Sequence, residues 1–239
     1  LGRRKALVMG GWDAGKTTEI LDLVNWVSVP GPDMLAPREG AVAVPLDESG
    51  RFIVIGGHGG SYLNSTEIYD PKTNSFSPGP STSYTRCFAA AVRLDDRRIL
   101  VIGGREGGQP LASTEILDIE SMEFSRGPTM VTPRNGAAAV KLEDEQRVLV
   151  IGGFNRDDGG LRTTEYLDLK ENTFSAGPQM QVSRTRAAAL QIDERRILVA
   201  GGDSHEARRT TEVLDLQADA FSQGPALLEA RETALAACV

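Results

Sequence analysis

The sequence contains few of the residues that usually build metal, redox and disulfide centres. Its 239 residues include two histidines, two cysteines and only 5% aromatic residues. Two cysteines cannot form the dense disulfide framework that stabilises small secreted domains. Cys87 and Cys238 both lie in short runs of small apolar residues, so we predict that both are buried free thiols.

A basic surface and long apolar segments are also missing. The formal net charge of −7 argues against a nucleic-acid partner, because binding to phosphate backbones needs concentrated positive charge. No apolar run reaches the roughly 18 residues of a membrane span, and no signal peptide is evident. We therefore expect no membrane partner and a cytoplasmic location. The first residue is Leu1 rather than methionine, which indicates a processed chain or a fragment.

Glycine, by contrast, is abundant and marks an internal repeat. The 26 glycines include five pairs that each close an apolar run: Gly10-Gly11, Gly56-Gly57, Gly103-Gly104, Gly152-Gly153 and Gly201-Gly202. After each pair come Thr-Glu, an aspartate, an aromatic residue and Gly-Pro, with an arginine six residues beyond the proline. We assign the aromatic position to Trp26, Phe76, Phe124, Phe174 and Phe221. The arginines recur about every 48 residues, at Arg38, Arg86, Arg134, Arg184 and Arg231. Five repeats therefore use the whole chain.

Each repeat is predicted to contain four short strands. In the third repeat they are residues 136–140, 147–151, 164–168 and a segment around Phe174. The first strands of other repeats are expected at residues 40–44, 88–92 and 186–190, which are rich in small side chains. These runs are short, rich in apolar and β-branched residues and separated by turn signals, and Gly-Pro ends the last of them. Four-stranded units at this period are typical of propeller blades. The expected fold is therefore all-β: a single domain over residues 1–239, forming a five-bladed propeller of four-stranded antiparallel blades.

The chain begins in the pattern of a second strand and ends in the pattern of a first strand. Residues 5–9 fit the former and residues 233–237 the latter. We predict that these terminal strands pair in one blade, which closes the ring and removes exposed sheet edges. Residues 226–237 also have high intrinsic helix propensity, so a terminal helix is the alternative there. A cut from a larger ring is the alternative to five blades.

One segment matches the phosphate-loop pattern G-x-x-x-x-G-K-[ST] through Gly10, Gly15, Lys16 and Thr17. That motif needs a helix after the loop, because the helix N-terminus and the loop N–H groups hold the phosphates together. Here the following residues, TEILD, have a strand-like counterpart in every repeat, and four of the five repeats lack Gly-Lys-Thr. We predict a strand after Lys16 and no nucleotide site.

The ordered landmarks resemble the kelch repeat over essentially the whole chain. The resemblance lies in the double glycine after an apolar strand, the later Tyr/Leu-Asp pair, the aromatic residue and the Gly-Pro…Arg element. The chain departs from the family in keeping the tyrosine only at Tyr69 and the tryptophan only at Trp26. The resemblance implies a kelch β-propeller. One such ring, galactose oxidase, holds copper through histidine, tyrosine and a cross-linked cysteine, and this sequence has no equivalent set.

Residues suited to catalysis are scarce. His58 and His205 lie in loops after the glycine pairs, without the spacing of metal ligands. The acidic clusters Asp95-Asp96, residues 143–145 and Asp193-Glu194 recur in one hairpin and are followed by arginine, so we interpret them as solvated turns rather than acid–base pairs or a cation site. We predict no catalytic residue, no metal and no cofactor.

The arginines of the repeat suggest a binding face. In a four-strand meander, the loop that enters strand one and the loop between strands two and three open on the same side. Arg38, Arg86, Arg134, Arg184 and Arg231 would then ring the mouth of the central channel. The alternative is structural, with Arg38, Arg86, Arg134 and Arg184 paired to Glu19, Glu67, Glu115 and Glu165. The variable loops on this face add further candidates: Trp12, His58, Tyr62, Arg105, Arg156, Arg162, Arg186, His205 and Arg208.

These features predict a non-catalytic scaffold that presents one loop-rich face to a protein or peptide partner, with an acidic partner favoured by the arginines. Two alternatives remain open. One is a small-ligand or carbohydrate-acting propeller enzyme with its site at the channel mouth. The other is a structural subunit docked into a larger assembly through blade edges.

Overall fold

A computed structural model describes residues 5–11, 15–142 and 146–231. These residues form five antiparallel sheets that are the blades of a β-propeller. No helix occurs among the described residues, and hence none that could cross a membrane. The predicted all-β, five-bladed architecture is confirmed.

Strand order within each blade follows the chain, from the channel to the rim. Blade 1 has three described strands, β1 (Lys5–Met9), β2 (Thr18–Asp22) and β3 (Val27–Pro30). Blade 2 has four, β4 (Val42–Pro45), β5 (Phe52–Ile55), β6 (Thr66–Asp70) and β7 (Ser75–Pro78). Blade 3 has β8 (Ala90–Arg93), β9 (Arg98–Ile102), β12 (Thr114–Asp118) and β13 (Glu123–Arg126), with the small hairpin β10 (Arg105–Glu106) and β11 (Gln109–Pro110) inserted in its loop.

The remaining two blades repeat this plan. Blade 4 has β14 (Ala138–Lys141), β15 (Arg147–Ile151), β18 (Thr164–Asp168) and β19 (Thr173–Ala176), with the hairpin β16 (Phe154–Asn155) and β17 (Gly159–Gly160) in its loop. Blade 5 has β20 (Ala188–Gln191), β21 (Arg196–Ala200), β22 (Thr211–Asp215) and β23 (Ala220–Gln223).

The hydrophobic core lies between neighbouring blades. Strand β5 sends Ile53 and Ile55 toward blade 3, where they pack with Ile99 and Val101 of β9. Equivalent clusters join blades 1 and 2, blades 3 and 4, and blades 4 and 5. Because alternate side chains of a strand point to opposite faces, each middle strand contributes apolar residues to both of its neighbours. This packing makes the channel end of each blade a rigid support for loops.

The innermost strands begin two residues later than the sequence pattern predicts. We expected strands from Gly40, Phe88, Gly136 and Arg186, but β4, β8, β14 and β20 begin at Val42, Ala90, Ala138 and Ala188. All four expected starting residues have φ between +56° and +63°. That left-handed conformation cannot continue a strand and is costly for residues other than glycine. Phe88 and Arg186 are thus strained.

The assignment of Trp26 to the repeated aromatic position is wrong. Phe76 of β7 pairs with Tyr69 of β6, whereas the residue of β3 that pairs with Leu21 of β2 is Ser28. Trp26 instead lies in the preceding turn with φ of +56° and is 83% exposed. The cause is spacing, since Trp26 follows its repeat's Thr-Glu two residues sooner than the phenylalanines do.

The segment after the phosphate-loop pattern is a strand, as predicted. Strand β2 begins at Thr18, and Lys16 forms a salt bridge of 3.2 Å with Asp33. At the other end, residues 226–231 are not helical. The predicted closing strand at residues 233–237 and Cys238 lie outside the described residues, so closure by the two termini stays a prediction.

Hydrogen bonds between aspartate and arginine close several turns between first and second strands. The turn of blade 2, which contains Asp47, leads to a prediction about the dependence of stability on pH. Burial favours a higher pKa for Asp47, but hydrogen bonds from Ser49 and Arg51 outweigh it and lower the pKa to about 2. Because the folded pKa lies below the unfolded value of about 3.9, the contribution is present above pH 4 and is lost as the pH falls toward 2. We expect Asp47→Asn to cost less than about 1 kcal/mol at pH 7, since the pair is partly exposed.

Urea unfolding of the two proteins at pH 7 and pH 2 tests this expectation, and the difference should shrink at pH 2. The control is Asp96→Asn, which changes a fully exposed carboxylate in the corresponding turn of blade 3. A pH-independent difference for Asp47→Asn would contradict the prediction.

Candidate functional site at the channel mouth

Four of the five repeated arginines are buried. Their exposure is 3% or less in Arg38, Arg86, Arg134 and Arg184. Nη1 of each donates a hydrogen bond to the carbonyl oxygen of the first glycine in the next glycine pair along the chain: Gly56, Gly103, Gly152 or Gly201. Burial lowers the pKa of Arg86, Arg134 and Arg184, and the partner glutamate opposes that shift.

Each buried arginine pairs with a glutamate one repeat later than we expected. The observed pairs are Arg38–Glu67 at 2.7 Å, Arg86–Glu115 at 2.9 Å, Arg134–Glu165 at 2.7 Å and Arg184–Glu212 at 3.1 Å. The expected pairings with Glu19, Glu67, Glu115 and Glu165 are wrong because an arginine enters the first strand of a blade, and the glutamate on the third strand of that same blade follows it in the chain.

The glutamates also hold the linkers between blades. Glu165 accepts hydrogen bonds from the backbone N–H groups of Val131 and Thr132, at 2.7 and 2.9 Å. Glu67 and Glu212 each accept two such bonds, and Glu115 accepts one from Ser83. The buried arginines are therefore part of the frame, and the prediction that they line the mouth is corrected. Arg231 is exposed, and its backbone N–H donates to the Arg208 carbonyl.

The residues two positions after the buried arginines form a collar around the channel. Their backbones are joined from blade to blade, because Phe88 N–H donates to Gly40, Gly136 N–H to Phe88, and Arg186 N–H to Gly136, at 2.7 to 2.8 Å. Glycine at two of the four positions leaves room above the collar. A Cβ on Gly40 would contact the Phe88 ring, and one on Gly136 would contact Thr185 and Arg186. The two large side chains therefore share the space that the two glycines leave.

Phe88 is the centre of a cationic cluster. The guanidinium carbon of Arg186 lies 4.1 Å from the centroid of the Phe88 ring, and that of Arg105 lies 5.1 Å from it. Arg105 also lies over the ring of Tyr62 at 5.4 Å. These are cation–π distances. Blade 3 contributes Phe88 and Arg105, and blade 5 contributes Arg186, so the contact passes over the glycine of blade 4.

A cavity of about 410 Å³ opens beside this cluster. Its walls combine two arginines, one carboxylate, one exposed phenylalanine, hydroxyl and amide groups and glycine: Arg105, Gly108, Asn135, Phe154, Gly160, Ser183, Thr185, Arg186, Asp203 and Ser204. Cavities with apolar contact surface and a few converging polar groups are the usual form of ligand sites.

Two more of the predicted residues, His58 and Arg208, join the cluster through neighbouring side chains. His58 packs against Tyr62, with ring centroids 5.1 Å apart, and so joins the cluster through Arg105. Arg208 joins at the other end, 3.2 Å from Asp203, which lies 3.8 Å from Arg186.

Four predicted residues are not placed in this cluster. Arg156, Arg162 and His205 are exposed on the loops. Trp12 lies outside the described residues.

No metal centre is formed by the described histidine, cysteine and acidic side chains, since no three of them come together within residues 5–11, 15–142 and 146–231. Asp95 and Asp193 lie in partly exposed turns, in agreement with the interpretation as solvated turns, and each accepts a hydrogen bond within its own turn, from Arg98 and Arg196 respectively. The cluster at residues 143–145 lies outside the described residues. Cys87 is a buried free thiol, also as predicted, and burial raises its pKa.

Phe88 and Asp203 are the members of the cluster that sequence reasoning missed as individual site residues. The sequence pattern predicts Phe88 only as the first residue of an inner strand, and it does not single out Asp203. A usable signal was present for Phe88, because its position is glycine in two repeats and a large residue in two others, Phe88 and Arg186. When a collar position is glycine in some blades and a large residue in others, the fold does not need the large side chain. Such variation indicates that the side chain has a role in binding.

Comparisons with known proteins agree with this architecture. The kelch motif matches residues 49–83, 86–131 and 133–181, which together make up more than half of the chain. The solved structure of YjhT superposes with a TM-score of 0.81 at 15% sequence identity, covering 98% of this chain and 84% of that one. At this identity the similarity shows the fold alone. No curated protein sequence matches the chain. The repeat landmarks, the five blades and the motif match together show that the chain belongs to the kelch-repeat family of β-propellers.

Proposed function

We propose that this propeller is a non-catalytic docking module that binds an acidic protein or peptide segment at the channel mouth. One observation carries the proposal. Four of the five repeated arginines are buried and hydrogen-bonded within the blades, whereas side chains that differ from blade to blade lie together on one face. Arg134, for example, is completely buried, whereas Phe88 and Arg186 occupy collar positions that are glycine in blades 2 and 4. Loops on a rigid scaffold are where binding residues concentrate.

The arginines of this face support an acidic partner. Arg105 and Arg186 stand at the cavity, and Arg156, Arg162 and Arg208 are exposed around it. The loops of this face also carry Glu106, Asp157, Asp158, Asp203 and Glu206, so the support for an acidic partner comes from the arginines at the cavity and not from the net charge of the face. Complementary charge of this kind steers association and selects among partners. A cytoplasmic location remains part of this proposal.

A panning experiment tests the proposal with the whole chain. A random peptide display library would be selected on the immobilised protein, and we expect enrichment of sequences rich in aspartate and glutamate. The triple variant Arg105→Ala, Arg162→Ala, Arg208→Ala should lose that enrichment while keeping its thermal unfolding temperature. The charge-matched control is the triple variant Arg51→Ala, Arg97→Ala, Arg195→Ala. It removes three exposed arginines from the turns between the first and second strands, at the opposite end of the blades. Equal enrichment on both triple variants would contradict the proposal.

A second candidate function is the binding or turnover of a small ligand at the same mouth. The observation that favours it is the 410 Å³ cavity, whose hydroxyl, amide and arginine groups surround one exposed aromatic ring at Phe154. Native mass spectrometry of the chain incubated with a cell lysate separates the two candidates. A protein adduct favours docking, and a retained small-molecule mass favours the second candidate.

A further inference from the structure

Two arginine atoms at the channel mouth lack the hydrogen-bond acceptor that their burial calls for. Nε of Arg105 and Nε of Arg186 are both shielded from solvent, and neither meets an acceptor within the described part of the chain. A buried donor on a charged group is costly to leave unpaired. Both side chains line the same cavity. Two incompletely satisfied guanidinium groups that line one cavity indicate that an acceptor group enters it.

The charges around the cavity indicate which acceptor. The lining includes two positive groups, Arg105 and Arg186, and one carboxylate, Asp203, while the other lining residues are uncharged. Asp203 lies 3.8 Å from Arg186 and 3.2 Å from Arg208, which is outside the lining. A carboxylate would bring one negative charge close to Asp203, whereas a phosphate dianion would bring two. Like charges at such distances repel strongly away from bulk water. The cavity therefore suits a carboxylate better than a phosphate.

The shape of the cluster agrees with that choice. Guanidinium groups are planar and present paired N–H donors that match the two oxygens of a carboxylate. Here the Phe88 ring supports both guanidinium groups, at 4.1 and 5.1 Å from its centroid. Contacts that are already formed reduce the conformational entropy lost on binding.

We infer that Arg105 and Arg186, supported by Phe88, form a subsite for one carboxylate group of the docked partner. The inference rests on the proposed docking function and names the group that enters the mouth. Two sources supply this chemistry, an aspartate or glutamate side chain and the carboxyl terminus of a chain.

NMR titration of the full chain with four small probes tests the subsite and separates the two sources. N-acetylaspartate N-methylamide is compared with its asparagine counterpart, and N-acetylalanine is compared with N-acetylalaninamide. In at least one pair, the acid should bind roughly tenfold or more tightly than the amide, because a charge-assisted hydrogen bond is lost in the amide. The pair that shows the difference identifies the source.

Variants locate the binding. Arg105→Gln and Arg186→Gln should each weaken binding of the acid probe by roughly tenfold. Arg97→Gln, which removes an exposed arginine from a turn at the opposite end of the blades, should leave it within about twofold. The inference is overturned if acid and amide bind alike, if Arg97→Gln has the same effect as the other two, or if inorganic phosphate binds more tightly than either acid.

These results are distinguishable from failure of the docking proposal. Enrichment of acidic peptides that survives Arg105→Gln and Arg186→Gln would keep docking and overturn the subsite. Carboxylate binding that depends on both arginines, without any peptide enrichment, would keep the subsite as a small-ligand site and overturn docking.

Discussion

Replacing Glu165 by glutamine is expected to lower the free energy of unfolding by about 3 kcal/mol, as breaking a buried ion pair typically does. Both members of the pair are almost fully buried, with side-chain exposures of 0% for Arg134 and 3% for Glu165. Glutamine keeps the size of the side chain but removes its charge. Arg134 would then be buried without compensation, and the linker N–H groups of Val131 and Thr132 would compete for one remaining acceptor oxygen.

The repeat provides a matched control for this prediction. Glu19 occupies the same position in blade 1 but is exposed, and the described structure gives its carboxylate a hydrogen bond from Ser28 at 2.6 Å. Glu19→Gln should therefore change stability by no more than about 0.5 kcal/mol. Urea unfolding followed by circular dichroism measures both variants at neutral pH. Equal losses of stability in the two variants would show that burial of the Arg134–Glu165 pair does not determine its contribution to the free energy of unfolding.

The architecture could be predicted from the sequence because each landmark has a local physical cause. The paired glycines are an example, since Gly56 and Gly57 have φ of +66° and +98° and a Cβ on Gly56 would collide with the Arg86 carbonyl oxygen. Such constraints hold in every blade, so they recur in the sequence. Strand bounds away from the channel were predicted to within a residue for the same reason: residues 147–151 and 164–168 are β15 and β18.

Contacts between distant elements could not be predicted from the same information. A period of about 48 residues places each of the four buried arginines between two glutamates of the repeat, and only the sheet shows that the downstream glutamate belongs to the same blade as the arginine. The contact between Phe88 of blade 3 and Arg186 of blade 5 depends on the width of the channel and on the missing side chain of Gly136. The glycine can be read from the sequence, but the width of the channel and the contact across it cannot. The blades of this propeller can thus be predicted from the sequence, whereas the cluster at the channel mouth depends on how the blades are arranged around the ring.

Arg186→Gly should remove binding at little or no cost in stability. Arg186 has φ of +56° at a collar position where blades 2 and 4 carry glycine. The left-handed conformation costs an ordinary residue about 1–2 kcal/mol. Glycine relieves that strain and removes the unpaired Nε, while it forfeits about 0.5–1 kcal/mol of cation–π contact with Phe88. It also loses about 0.5–1 kcal/mol to greater freedom of the unfolded chain. Together these contributions change the free energy of unfolding by between about −1 and +1 kcal/mol, and we expect carboxylate binding to weaken at least tenfold.

A control with the same chemical change separates strain from the general effect of glycine. Arg162 lies in a loop of the same face without positive φ, so Arg162→Gly should lower stability by about 0.5–1 kcal/mol. Urea midpoints of the two variants, read together with the titration of the acid probe, decide the point. If Arg186→Gly destabilises the protein as much as Arg162→Gly does, then Arg186 is a structural residue of the collar. If it costs clearly less stability than Arg162→Gly and removes binding, strain at the collar is retained for the ligand, which is the pattern expected where function opposes stability.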